Sequence, residues 1–313
     1  MNEAAFAAAD WGTTRFRLWV FDAAGGVLAE RRSDEGLLAA QPAGFGAILE
    51  RHLGEVGAPP ALPVILCGMA GARQGWIEAP YVTVPAAPDR IFDAAVRVPG
   101  TAREIRIIPG LAQRDEAAPD VMRGEETQLA GALGRLAPGR NLVCLPGTHS
   151  KWALVEDGVV TTFQTVMTGE LFSLLSSHSI LSYAIGTEPP AVDPDSAAFR
   201  RGCASGLTDP GGAGLGLFRI RAASLLHGLE AGNAAAVLSG LLIGAEIAAC
   251  RERFGGGQLD AVTLVASGSM RRLYEQALSL TGIEHGSMDA DEAVRHGLLA
   301  AARHCGFAAE VGR

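Results

Sequence analysis

Apolar and polar residues alternate over 16–22, the period of a half-buried strand. An apolar run at 6–9 leads into Asp10-Trp11-Gly12-Thr13-Thr14-Arg15, and Ala23-Ala24-Gly25-Gly26 turns the chain into a third run at 27–32. This pattern predicts a three-strand meander with tight turns. Helical spacing follows at 44–53. A short apolar run at 63–67 predicts a buried strand ending at Gly68-Met69-Ala70-Gly71, and another strand is expected at 106–108. Residues 111–124 are polar and irregular and are taken as a boundary, giving domains over 1–117 and 118–313. Beyond it the pattern predicts a helix at 125–136, strands at 141–145, 152–155 and 159–163, and a helix at 169–181. Loops are expected at 187–196 and 208–216, with three helices within 217–254. A strand at 261–266 and helices at 271–280 and 290–304 complete the chain. Strands alternating with helices indicate an α/β fold.

A shift of 135 residues lays one hairpin on another. Gly12-Thr13 falls on Gly147-Thr148, Trp19 on Leu154, Val20 on Val155 and Asp22 on Asp157. Each copy is an apolar strand, a Gly-Thr turn, a second strand and an acidic turn, which points to duplicated modules.

Composition removes several classes. The 313 residues are 48% hydrophobic and 19% charged, enough for a buried core and unlike a disordered chain. The net charge of −8 comes without a basic stripe, which argues against a nucleic-acid partner. Cys67, Cys144, Cys203, Cys250 and Cys305 are far apart, fitting a reducing cytosol rather than a disulfide scaffold or zinc ribbon. The N-terminus lacks the basic segment of a signal peptide. The uncharged runs at 171–187 and 232–245 are read as buried helices, the second being short of the roughly 20 residues a spanning helix needs. A cytoplasmic protein without a membrane partner is therefore expected. Of 26 basic residues only Lys151 is a lysine, and it lies on the second Gly-Thr turn.

The turns suggest the chemistry. Glycine followed by threonine exposes backbone N–H groups and hydroxyls, a nest for phosphate oxygens. Asp10 is placed to hold a magnesium ion, directly or through water, and Lys151 offers a point charge to phosphate. No Walker-type loop occurs. Glu125 and Glu126 open a helix after Arg123-Gly124, where acidic residues suit the helix dipole and where one could serve as general base. The loop 68–76 combines small residues with Met69, Arg73, Gln74 and Trp76: Arg73 is a fork for a carboxylate, and Gln74 and Trp76 suit a polyol. Ala266-Ser267-Gly268-Ser269 would let a flat ring or ribose lie against the backbone. Gly212-Ala213-Gly214-Leu215-Gly216 does not fit a dinucleotide loop and reads as a linker. His178 and Ser179 read as a buried polar pair, and His296 and His304 lack metal-ligand spacing.

Together these residues resemble the sugar kinase, Hsp70 and actin superfamily. Asp10, Gly12, Thr13, Thr14 and Arg15 are similar to its first phosphate motif. Gly147, Thr148, His149, Ser150 and Lys151 resemble the second, and Gly268 and Ser269 its adenosine motif. Blocks spread over nearly the whole chain resemble the 2-dehydro-3-deoxygalactonokinase family. The resemblance implies two ribonuclease-H-like lobes with an ATP cleft between them. It also implies Mg²⁺-ATP as cofactor and phosphorylation of the 6-hydroxyl of 2-dehydro-3-deoxy-D-galactonate in galactonate breakdown. A Gly-Asp pair supplies the base in related carbohydrate kinases. Here Gly124-Glu125 stands in that place with Glu126 beside it, so the base is Glu125 or Glu126. A different sugar acid as acceptor, or a nucleotide-switch ATPase of the same fold, are the alternative readings. In the switch, Arg73, Gln74 and Trp76 would be dispensable. A homodimer is compatible with all of them, although no feature of the sequence encodes an oligomeric state.

Overall fold

A computed structural model describes residues 3–186, 188–255 and 261–309. Thr187, read as the end of the uncharged run, lies outside them. In chain order the elements are β1 (Ala4–Trp11), β2 (Phe16–Asp22), β3 (Val27–Ser33), α1 (Leu37–Ala43), α2 (Phe45–Glu55), β4 (Val64–Gly68), β5 (Val82–Thr83), α3 (Pro88–Asp93), β6 (Val96–Arg97), β7 (Ile105–Ile107), β8 (Leu111–Gln113), β9 (Asp120–Met122) and α4 (Glu125–Ala132). There follow β10 (Arg140–Leu145), β11 (Ser150–Glu156), β12 (Val159–Val166), α5 (Thr168–His178), α6 (Ser182–Ile185), α7 (Ala197–Thr208), α8 (Ala213–His227), α9 (Ala231–Gly255), β13 (Ala261–Val265), α10 (Gly268–Ser279), β14 (Glu284–Met288) and α11 (Ala290–His304).

Two compact units result. The first holds Met1–Gly139, Val155–Thr162 and Ala290–Arg313, the second Arg140–Leu154 and Phe163–Asp289. This division differs from the boundary at 117/118. The segment 111–124 is only partly irregular, because 111–113 and 120–122 pair as β8 and β9. Moreover, α4 packs on α11 through Gly131 and Gly297, where an added Cβ would strike the backbone of Ala293 and Thr127. The C-terminal helix thereby returns to the first unit and fixes the start of α4.

The first unit's main sheet has the order β3-β2-β1-β4-β7-β6. β1 runs antiparallel to β2 and parallel to β4, with Asp10 opposite Cys67 and Trp11 opposite Gly68. β4 is buried along its length, as a central strand covered on both faces must be. The second unit repeats the order as β12-β11-β10-β13-β14. The duplication inferred from the 135-residue shift is thus a duplication of strand order.

In the second unit α9 is 25 residues long, not the 14-residue run of the sequence reading. Length and composition would let it span a membrane, yet 67% of its most apolar stretch is buried. Gly202 and Gly206 of α7 meet Gly240 and Gly244 of α9 so closely that a Cβ on any of the four would strike the facing backbone. A helix apolar on every side is what such burial requires. Only two helices, α8 and α9, occupy the stretch read as three. Residues 213–216 are the first turn of α8 rather than a linker. His178 is exposed at the end of α5, and Ser179 bonds the Leu175 carbonyl, so they are not a buried pair.

Candidate active site

In the first unit three predicted motifs meet at Gly68. β1 delivers Asp10 at its C-terminal end, beside β4. At Gly68 (φ +81°) an added Cβ would lie 2.5 Å from the Trp11 carbonyl oxygen and 3.2 Å from Asp10 Oδ1. An added Cβ at Gly124 (φ +107°) would in turn lie 3.6 Å from the Gly68 Cα. The first Gly-Thr turn, the start of the 68–76 loop and the start of α4 therefore share one small space that glycine keeps open.

The first turn is closed by Gly12 N–H donating to the Arg15 carbonyl at 2.8 Å, and it leaves Thr13, Thr14 and Arg15 exposed. Asp10 is ion-paired through Oδ2 with Arg17, which also pairs with Asp291 of α11. Its Oδ1 faces Cys67 Sγ at 3.7 Å. In the 68–76 loop Arg73 and Gln74 are exposed and Met69 is half-buried in a single 3₁₀ turn. Trp76 stacks on Phe45 at 6.2 Å with its edge over Gly46, so one face belongs to the core.

The two glutamates are not equivalent. Glu126 is 1% exposed, and its Oε2 accepts the Gly124 N–H at 2.6 Å while Oε1 accepts the Thr127 hydroxyl at 3.0 Å. Burial, helped by the neighbouring charge of Glu125, pushes its carboxyl up to about 8. Glu125 is half-buried, and its Oε2 accepts the Arg123 N–H at 3.1 Å. A group that is protonated and buried at neutral pH is poorly suited to accept a substrate proton, which favours Glu125 as base.

The same shift has a consequence for stability. The folded protein keeps a proton on Glu126 that the unfolded chain releases above about 4.5, so stability is lost as pH rises from there to about 8. Glu126→Gln is expected to melt above the wild type at pH 8, with the difference shrinking towards pH 5. The window is worth up to about 1.4 kcal/mol per pH unit. Scanning fluorimetry of both proteins across that range checks it; a pH-independent difference would remove the assignment.

Sequence reasoning missed Arg123. Its Nη2 donates to the Ala79 carbonyl at 2.7 Å, its guanidinium lies 4.4 Å over Tyr81, and a Cβ on Gly71 would lie 2.8 Å from Nη1. Nε and Nη1 are buried with no hydrogen-bond partner among the described residues. An arginine directly before the Gly-Glu pair was the available signal. It ties the loop to the start of α4.

In the second unit Gly147 is half-buried, and Thr148 and His149 are exposed. α5 clasps this turn: Glu170 N–H donates to the Thr148 carbonyl at 2.9 Å, Glu170 pairs with His149, and a Cβ on Gly169 would strike the Gly147 carbonyl. The side chains of Ser150 and Lys151 are not presented outward as the motif suggests. Ser150 is buried with its hydroxyl 2.9 Å from Tyr274 Oη. Lys151 is 4% exposed and its Nζ donates to the His149 carbonyl at 3.3 Å, bracing the turn from beneath. Gly268 and Ser269 are exposed at the start of α10, and Ser267 donates to Asp289 at 2.7 Å. Between α5, the 189–192 loop, α9 and α10 lies a cavity of about 290 Å³, lined chiefly by apolar side chains such as Phe172 and Leu273, with Thr168, Ser239, Ser269 and Arg272 as polar groups.

Glu246 of α9 was also missed. It is 3% exposed and accepts from Trp152 Nε1 and Tyr274 Oη, each at 2.7 Å, and from the Thr168 hydroxyl. Burial pushes its carboxyl up while these donors pull it back. One carboxylate thus joins β11, α5 and α10. Its signal was an acid, Glu246, within the otherwise uncharged stretch 234–250 of α9.

Two units with the same strand order, each carrying a Gly-Thr turn after its first strand, define an actin-like α/β fold of the sugar-kinase type. The chain belongs to the 2-keto-3-deoxy-galactonokinase family, whose pattern it matches over residues 10–301. It is 52% identical over 298 residues to "Probable 2-dehydro-3-deoxygalactonokinase DgoK1" of Rhizobium meliloti (strain 1021), covering 95% of this chain and 96% of that one. It is 36% identical over 295 residues to the 2-dehydro-3-deoxygalactonokinase of Escherichia coli (strain K12), covering 94% and 96%. The crystal structure of a Sinorhizobium meliloti protein assigned to the same kinase superposes with a TM-score of 0.92 at 52% identity, over 96% of this chain and 99% of that one.

Proposed function

We infer that this kinase transfers the γ-phosphoryl group of ATP to the 6-hydroxyl of 2-dehydro-3-deoxy-D-galactonate, a step of galactonate breakdown. The observation that carries this reading is the meeting of Asp10, Gly68 and Gly124-Glu125 in the first unit of a chain that belongs to this family. The O–H bond of the acceptor breaks as its oxygen attacks the γ-phosphorus. Glu125 takes the proton, and ADP leaves with the electrons of the broken P–O bond.

Magnesium belongs to the nucleotide substrate. Among the described residues no group of three or more His, Cys, Asp or Glu could hold a metal ion; of the Asp10 carboxylate oxygens, Oδ2 pairs with Arg17 and Oδ1 accepts from Cys67 Sγ at 3.7 Å. One carboxylate with phosphate oxygens is a usual Mg²⁺ arrangement. The exposed Thr13 and Thr14 of the first unit and Thr148 of the second suit phosphate oxygens. The apolar cavity beside Gly169 and Ser269 suits adenine, since such sites combine apolar walls with a few polar groups.

Coupled ADP release with a panel of 2-keto-3-deoxy acids tests the reading: turnover is expected with the galactonate derivative, and no acid-dependent turnover would overturn it. Arg73 is the exposed candidate for the substrate carboxylate. A hydrogen bond to a charged group is worth about 1.5–3 kcal/mol, so Arg73→Ala should raise KM for the acid roughly 10- to 100-fold with little change in kcat. An unchanged KM in steady-state kinetics would refute the clamp.

A further inference from the structure

α8 is the least buried long helix of the second unit: of its 15 residues only Ile220 is buried. Its inner side, through Ile220 and Leu217, packs on a small core with Leu238 and Ala234 of α9. Its outer side should then be polar, and it is not. Leu215 is 77% exposed, Phe218 64%, Leu225 64% and Leu226 75%. With Ala222 these residues step by three, four, three and one, the spacing of a helix-pairing seam turned towards solvent. Tyr183 of α6, also exposed, extends the patch: Arg221 lies over its ring at 5.5 Å and donates to its carbonyl at 3.4 Å.

We propose that this face is a homodimer interface in which α8 packs antiparallel on α8 of a second copy, across a twofold axis near Ala222. The stripe is self-complementary, as a twofold contact requires. An axis at Ala222 sets Phe218 of one copy against Leu225 and Leu226 of the other, and the small side chain at the centre lets the two backbones approach. The five large exposed side chains present roughly 650 Å² per copy, near the ~800 Å² each partner gives to a standard interface. That is at or above the largest apolar patch of a typical monomer, about 300–600 Å². Arg219 and Arg221 flank the stripe as a polar rim.

Sedimentation velocity of the full chain at about 10 μM, within the affinity range of such interfaces, should show a dimer. Phe218→Glu with Leu226→Glu should convert it to a monomer whose melting temperature stays within a few degrees of wild type, because neither side chain is packed in the core. Ala222→Cys should form a cross-linked dimer under mild oxidation, where Ser224→Cys, on the opposite side of the helix, should not. A monomeric wild type would overturn the proposal, as would a double variant that remains dimeric. Wild-type flotation with phosphatidylcholine–phosphatidylglycerol vesicles in place of self-association would assign the face to a membrane surface and overturn it equally. Should the double variant fail to fold, the Ala222→Cys cross-link decides alone.

Discussion

Glu125→Gln is expected to lower kcat by about 10²–10⁴-fold, the usual contribution of a positioned general base, with ATP affinity retained. The substitution keeps the size of the side chain and an oxygen for the Arg123 N–H, so the start of α4 stays in place. What disappears is a group able to take the acceptor's proton. Glu126→Gln should leave kcat within a few-fold, since that carboxyl is already neutral near pH 7 and spends both oxygens inside the protein. The two variants thus separate residues adjacent in sequence by opposite readouts: one loses activity at constant stability, the other gains stability at nearly constant activity. Steady-state kinetics with a nucleotide-binding titration checks the first arm. The reverse pattern would make Glu126 the base and require α4 to open during turnover.

The strands and the two Gly-Thr turns that follow β1 and β10 were legible because their signals are local. Gly12-Thr13 and Gly147-Thr148 sit at the ends of apolar runs, and the 135-residue shift exposed the duplication without long-range information. Boundaries failed where tertiary contacts decide. α4 looked like the start of a second domain because 111–124 is polar, but Gly131 and Gly297 dock it on a helix more than 150 residues away. No window of sequence encodes that partnership. Side-chain direction was equally hidden. Ser150 and Lys151 lie within a motif that suggested exposure, yet β11 is covered on both faces there, so these consecutive residues are both buried on opposite sides of the strand. Glu125 and Glu126 looked interchangeable because a helix start rewards either. Their difference comes from what the second residue of the turn meets, the packed interior around Thr127 and Cys67. The exposed face of α8 had a readable period of its own, but only the structure shows that the apolar stripe lies on the side away from α9.

Glu246→Ala should destabilise the protein by about 3–5 kcal/mol, because it leaves several buried neutral donors without an acceptor. Alanine strips the acceptor from Trp152 Nε1, Tyr274 Oη and the Thr168 hydroxyl together, and each stranded donor costs about 1–3 kcal/mol in an apolar interior. The loss also falls beside the cavity proposed for adenine. Thr168 lines the 290 Å³ cavity, Trp152 follows Lys151 on β11, and Tyr274 holds Ser150 from α10. Without the carboxylate the three elements that frame the second Gly-Thr turn lose their common anchor, so if that turn and cavity hold the nucleotide as proposed, KM for ATP rises along with the fall in stability. Glu246→Gln keeps one acceptor oxygen and should fall between the two proteins on both measures. Urea unfolding and ATP kinetics on the three proteins read the effect. Wild-type stability in the alanine variant would show that water or a shifted side chain satisfies these donors, and the carboxylate would then have no organising role.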